Sequence, residues 1–238
     1  MAKLAEKMAD DADDGVPRIP MGSMTAERFR AEFMERNLPV IVLGATDGWR
    51  AAREWVRADG GPDVAKLASL FGGSLVSVVE CASGERRARA REPLSLTEYA
   101  AWWRGRANAD APLYLKDWHF QAEHAGYGAY ALDGPLSWLD DDWLNEHWAA
   151  TGCTDDHRFV YLGPAGTHTA LHADVLFSFS WSVNLSGVKR CAPRGSHDTR
   201  FAPRGRINAM RCRCAHGLTP HRVGVADGSS SQRRSAAA

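Results

Sequence analysis

The chain is short of the features that mark secreted and membrane-spanning proteins. Its five cysteines, Cys81, Cys153, Cys191, Cys212 and Cys214, show none of the spacing of a disulfide framework. No apolar run approaches the roughly 20 residues of a membrane span. The opening MAKLAEKMADDADDG lacks the apolar stretch of a secretory signal, so the expected location is the cytoplasm, with the nucleus as the alternative. A further scarcity is local. The last 48 residues hold no Glu, Lys, Trp or Tyr, and Phe201 is their only aromatic residue.

That scarcity divides the chain. The 238 residues sum to a net charge of zero, yet residues 1–190 carry 20 basic and 27 acidic side chains, while 191–238 carry nine Arg against two Asp. A break of this kind joins two sorts of sequence. The expected organisation is a disordered acidic tail over 1–17, a folded region over 18–190, and a disordered Arg-rich tail over 191–238. A shifted reading frame or a retained intron in a GC-rich gene is the expected origin of that last tail. An Arg-rich nucleic-acid-binding tail is disfavoured, because it has no interleaved aromatics for stacking.

Within 18–190 the pattern changes along the chain. Met24–Arg36 predicts a helix, with Phe29 and Phe33 on one face and Glu32 able to pair with Arg36. VIVL at 40–43 predicts a short buried strand. GGPDVAKLASLFGG predicts a helix with Pro62 in its first turn, and SLVSVVE a strand. Ser95-Leu-Thr-Glu98 is a capping box that opens a further helix. APLYLKDW predicts a strand, SWLDDDWLNEHW a helix, and RFVYLG another strand. HTALHADV to VNLSGVKR predicts two more. Helices and strands first, then a run of strands, give the class α+β.

The chemistry is concentrated at His172 and Asp174. Residues i and i+2 of a strand share a face, so His-x-Asp aims an imidazole and a carboxylate into one space. Those are two of the three ligands of the 2-His-1-carboxylate arrangement that holds non-haem Fe(II). Thr169 lies three residues before the pair's His172, and Lys189 lies 17 after it. A hydroxyl and an ammonium there suit the far carboxylate of a dicarboxylate chelator such as 2-oxoglutarate.

TALHAD followed by FSWSVNLSGVKR, with PVIVLGATDGW, LYLKDWH, DDWLNE and RFVYLGPAGT before it, resembles the JmjC-domain hydroxylases over about residues 18–190. The resemblance implies a cupin-like double-stranded β-helix using Fe(II), 2-oxoglutarate and O2. It implies hydroxylation of a protein lysine, with a translation-termination factor as the protein partner. It makes His172 and Asp174 metal ligands, and Tyr114, Thr169 and Lys189 contacts to the cosubstrate. A buried core tyrosine is the competing reading of Tyr114.

The family's third ligand, a second His on a later strand, is expected beyond Ala238. After GVKR the chain reads CAPRGSHDTR, and His197, His216 and His221 sit in no alternating apolar segment. Cys212-x-Cys214 does not have standard zinc spacing. The expectation is an incomplete barrel without hydroxylase activity, with a non-enzymatic adaptor or remnant as the alternative function.

Overall fold

The computed structural model describes residues 16–81, 89–105, 111–130, 142–153, 156–169, 178–187, 189–191, 199–201 and 206–210. The chain enters through strand β1 (Arg18–Pro20) and a short 3-10 turn, then starts helix α1 (Ala26–Phe29). Thr25 caps α1 by accepting a bond from the Arg28 amide at 3.1 Å. After one turn the helix widens to a π-helical segment over Arg30–Met34, where the Glu35 amide reaches back five residues to Arg30 O. The expected ion pair shifts accordingly. Glu32 pairs with Arg28 at 3.1 Å instead of Arg36, because the wider turn ends the helix before Arg36. Phe29 and Phe33 are both buried, and with Met24 and Ile19 they cover β2 (Val40–Leu43).

β2 shows why VIVL has no polar alternation. Val40 and Val42 pack under the phenylalanines, while Ile41 packs with Val16 and Leu43, so both faces are covered. Helix α2 (Arg50–Glu54) follows, then α3 (Val64–Phe71). Asp63 caps α3 by accepting from the Lys66 amide at 3.0 Å. Pro62 therefore precedes the helix, bridged to Val56, instead of occupying its first turn.

Strand β3 (Leu75–Glu80) collects β4 (Arg89–Ala90), β5 (Leu94–Ser95) and β6 (Leu113–Trp118), all antiparallel to it. Strand β7 (Val160–Leu162) extends this sheet beyond β6. One face of the five strands carries Val76, Val78, Leu113 and Leu115, packed on Leu67 and Phe71 of α3 and on Leu96 and Tyr99 of α4 (Leu96–Gly105). The capping box closes as the sequence predicts: Ser95 Oγ accepts from the Glu98 amide at 3.2 Å, and the Ser95 amide donates to Glu98 Oε2 at 2.8 Å. The buried Tyr99 hydroxyl donates to Leu162 O at 2.7 Å, which ties α4 to β7. Helix α5 (Phe120–Glu123) places Phe120 edge-on to Trp55, Phe71, Trp118 and Tyr127.

Beyond α6 (Trp143–Ala150), strand β8 (Ser180–Asn184) joins a second sheet. Its order is β1-β2-β11-β8, with β1 parallel to β2 and β11 (Arg206–Met210) antiparallel to both of its neighbours. Strands β9 (Lys189–Cys191) and β10 (Thr199–Phe201) pair with each other in a separate ladder. The mixture of helices with largely antiparallel sheets is α+β, as the element order predicts. The Arg-rich stretch departs from its expectation at two places, because Thr199–Phe201 and Arg206–Met210 are paired strands. An open strand edge is a template for any extended segment that can reach it, and composition says nothing about such edges.

Candidate functional site

The sheet built around β3 has two unlike faces. The face away from α3 and α4 carries Ser77, Val79, Tyr114 and Lys116, since Val79 pairs with Tyr114 and Ser77 with Lys116 in register. Tyr161 of β7 joins them, its ring centroid 6.0 Å from that of Tyr114. This wall is polar and aromatic where the opposite face is aliphatic.

Three features set the position of the two tyrosines. Asp117 adopts a left-handed φ of 54°, where the β6–β7 register shifts between Leu115 and Trp118. Its Oδ1 accepts the Tyr161 hydroxyl at 2.8 Å. Gly163 follows β7, and a Cβ there would lie 2.7 Å from Tyr114 Cδ2 and 2.4 Å from Thr167 Oγ1. Only glycine permits that approach. Thr167 Oγ1 in turn donates to Pro164 O at 2.8 Å, which closes the turn against Tyr114.

The turn leads towards the predicted metal ligands. The buried Cys81, which follows β3, donates its thiol to His168 O at 3.6 Å and so pins the chain at the end of the sheet that carries Tyr114. Thr169 is the next residue and is exposed. His172 and Asp174 lie outside the described residues, and the chain is described again from residue 178, just before β8. Lys189 is exposed on β9, in a different sheet from Tyr114. Of the predicted cosubstrate contacts, Tyr114 stands on the β3 sheet, Thr169 is exposed one residue after the Cys81–His168 contact, and Lys189 stands on a separate ladder. Tyr114 is half-buried, on the sheet face away from the main core cluster.

Two other clusters carry chemistry-bearing groups. His119 Nδ1 lies 3.0 Å from Asp156 Oδ1, beside the ring of Phe159 and near the stacked pair Trp148 and His157. Ser74 Oγ lies 2.9 Å from His124 Nε2, and Glu123 Oε1 lies 3.4 Å from the same nitrogen. A nucleophile–base–carboxylate relay needs its partners on opposite ring nitrogens, so this group is structural. Among the described residues no group of three or more His, Cys, Asp or Glu side chains is placed to hold a metal ion. A phenol, a threonine hydroxyl and an ammonium are donors of the kind that bind a carboxylate such as that of 2-oxoglutarate. Tyr161, Asp117 and Gly163 have no place in the sequence-based site. Alternation in RFVYLG does put Tyr161 opposite Val160 and Leu162, but nothing in KDWH announces the bulge at Asp117.

No family model matches the chain. Among curated proteins it is 36% identical over 208 residues to the human 2-oxoglutarate and iron-dependent oxygenase JMJD4, covering 85% of this chain and 46% of that protein. It is 36% identical over 191 residues to the arginine-specific demethylase JMJ20 of Arabidopsis thaliana, covering 74% and 40%. It is 28% identical over 178 residues to the bifunctional arginine demethylase and lysyl-hydroxylase psr-1 of Caenorhabditis elegans, covering 74% and 40%. The chain spans less than half the length of these relatives. By these identities the chain belongs, over part of their length, to the JmjC family of 2-oxoglutarate- and iron-dependent oxygenases.

Proposed function

We propose that the chain carries the cosubstrate wall and the first two metal ligands of a protein hydroxylase built on a cupin-like double-stranded β-helix. His172 and Asp174 are the ligands for Fe(II). The Lys189 ammonium pairs with the far carboxylate of 2-oxoglutarate, the Thr169 hydroxyl lies near the same group, and the Tyr114 hydroxyl hydrogen-bonds the cosubstrate. When bound, iron and 2-oxoglutarate supply the oxidising chemistry, with O2 consumed and succinate and carbon dioxide released. The protein's own part is positional. Asp117 fixes Tyr161, Gly163 leaves room for Tyr114, and the Cys81 thiol anchors the chain one residue before Thr169. The observation that supports the reading is the close approach of Gly163 to Tyr114 and Thr167, on the strand and turn that precede Thr169 in the chain.

The substrate side follows the relatives. Hydroxylation of a lysine in a protein, with a translation-termination factor as partner, is the first reading. Demethylation of a protein arginine is the second, favoured by the name of a plant relative at the same 36% identity.

We infer that residues 1–238 do not supply the distal histidine ligand. No histidine follows the His-x-Asp pair until His197, which falls after the composition break, and two ligands hold iron weakly. The Arg-rich stretch from Cys191 is the product of a shifted frame or a retained intron. An uninterrupted in-frame exon across the codons for Lys189 to Ala192 would contradict that. The function is tested by succinate release from 2-oxoglutarate, Fe(II) and O2. The purified chain is expected to give no more succinate than its H172A variant. Succinate formation coupled to hydroxylation of an added protein would overturn the assignment of inactivity.

A further inference from the structure

β11 is paired along both edges. Arg206–Ala209 pair with Leu43–Val40 on one side, and Arg206–Met210 pair with Asn184–Ser180 on the other. β2 and β8 therefore flank a strand that comes from the end of the chain, across a distance of about 10 Å that they cannot close by pairing with each other. We propose that residues 206–210 are a donor strand seated in a strand-accepting slot between β2 and β8. The slot's occupant of choice is an extended five-residue segment with apolar residues at its second and fourth positions.

Both walls of the slot are anchored without β11. Val40 and Val42 pack with Ile19, Phe29 and Phe33, and Trp181 of β8 packs against that same cluster. Trp181 also meets Trp49 edge-on at 6.3 Å, and Val183 packs on Trp49 as well. Trp49 and Trp181 thus clamp β8 to the N-terminal layer beside the slot, so the slot persists when the donor leaves.

The register gives the slot its preference. Ile207 stands between Val42 and Val183, and Ala209 between Val40 and Trp181. Asn208 stands between Ile41 and Ser182, and Arg206 between Leu43 and Asn184. The alternation of RINAM matches that of the walls, with apolar residues opposite Val42, Val183, Val40 and Trp181. Recognition through main-chain bonds with alternate side chains setting the choice is strand addition. Whatever the origin of the Arg-rich stretch, residues 206–210 cover two strand edges that would otherwise seek partners on other molecules. This inference is independent of the oxygenase reading.

The test uses the full chain with Asn208→Pro, which removes an amide from the middle of a strand paired on both sides, a position proline does not occupy. Ser231→Pro, far beyond the strand in sequence, is the control. Hydrogen exchange is read at β8, whose described pairing is with β11, and at β3 and β6 as a reference for the rest of the fold. The native chain and S231P are expected to protect β8, and N208P to lose that protection by roughly tenfold or more. A synthetic peptide of residues 204–211 added in trans is expected to restore it in N208P, whereas a scrambled peptide is not. Equal protection of β8 in N208P and the native chain would overturn the proposal. So would a peptide that fails to restore protection.

Discussion

The two sheets are held by different kinds of information. The sheet around β3 is sealed on one face by α3, α4 and Phe120, and its strands lie within 90 residues of one another. The sheet around β2 gathers its strands from both ends of the chain, and its central member β11 arrives 163 residues after β2 ends. Local pattern builds the first. The second needs a long-range partner to satisfy its backbone, and loop closure makes such pairings slow to form. The contrast places the candidate cosubstrate wall on the self-sufficient sheet, with Tyr114 and Tyr161 resting on a core that does not depend on the Arg-rich stretch.

The largest effect that tests this contrast is the removal of Phe120. Its ring is fully buried among Trp55, Phe71, Trp118 and Tyr127. Phe120→Ala is expected to cost about 3–5 kcal/mol in urea denaturation and to destabilise the β3 sheet cooperatively. N208P, by contrast, should leave β3 and β6 protected. If both variants lost protection over the same residues, the two sheets would be one cooperative unit.

Gly163→Val comes next. The new side chain would meet Tyr114 and Thr167, and neither can withdraw without moving β6 or the turn. A loss of about 1–3 kcal/mol is expected, with a shifted Tyr114 environment visible in near-ultraviolet circular dichroism. Unchanged stability and an unchanged spectrum would show that the wall is soft.

Ser95→Ala removes the capping box at α4 and is expected to cost about 1 kcal/mol in the midpoint of unfolding. The smallest effect concerns pH. Hydrogen bonds from the Tyr127 hydroxyl and from Arg50 hold the Glu54 carboxyl below its ordinary value. A depressed carboxylate adds stability above its unfolded pKa, and that contribution disappears as pH falls through the lowered folded value. Glu54→Gln is therefore expected to flatten the acid limb of the stability profile slightly while leaving the alkaline limb unchanged. An acid limb identical to that of the native chain would remove Glu54 from the account.

What the sequence reveals follows the same division. The buried VIVL strand, the apolar spacing of VAKLASLF, the Ser95–Glu98 box and the LYLKDW strand are all local signals, and each forms where the pattern puts it. The π-helical turn after Phe29 is not legible in the apolar spacing, which only places Phe29 and Phe33 on one face, where both are buried with Val40 and Val42. β11 is illegible for a stronger reason: the two edges it joins are defined only after the rest has folded. Of the candidate site, Tyr114 is legible as an outward residue of an alternating strand. The fixing of Tyr161 by Asp117 depends on a bulge that no dipeptide signals. His172 and Asp174 are legible as a pair on one strand face by spacing alone, and their geometry lies outside the described residues.

On the proposed function, His172, Asp174 and the Tyr114 wall form the binding half of a 2-oxoglutarate site. Calorimetric titration of 2-oxoglutarate into the purified chain, with and without Mn(II) as a redox-silent substitute for iron, tests it most directly. The account predicts weak, metal-dependent binding that is abolished in H172A and D174A and weakened in Y114F. Binding that is independent of metal, or unaltered in H172A and D174A, would contradict it.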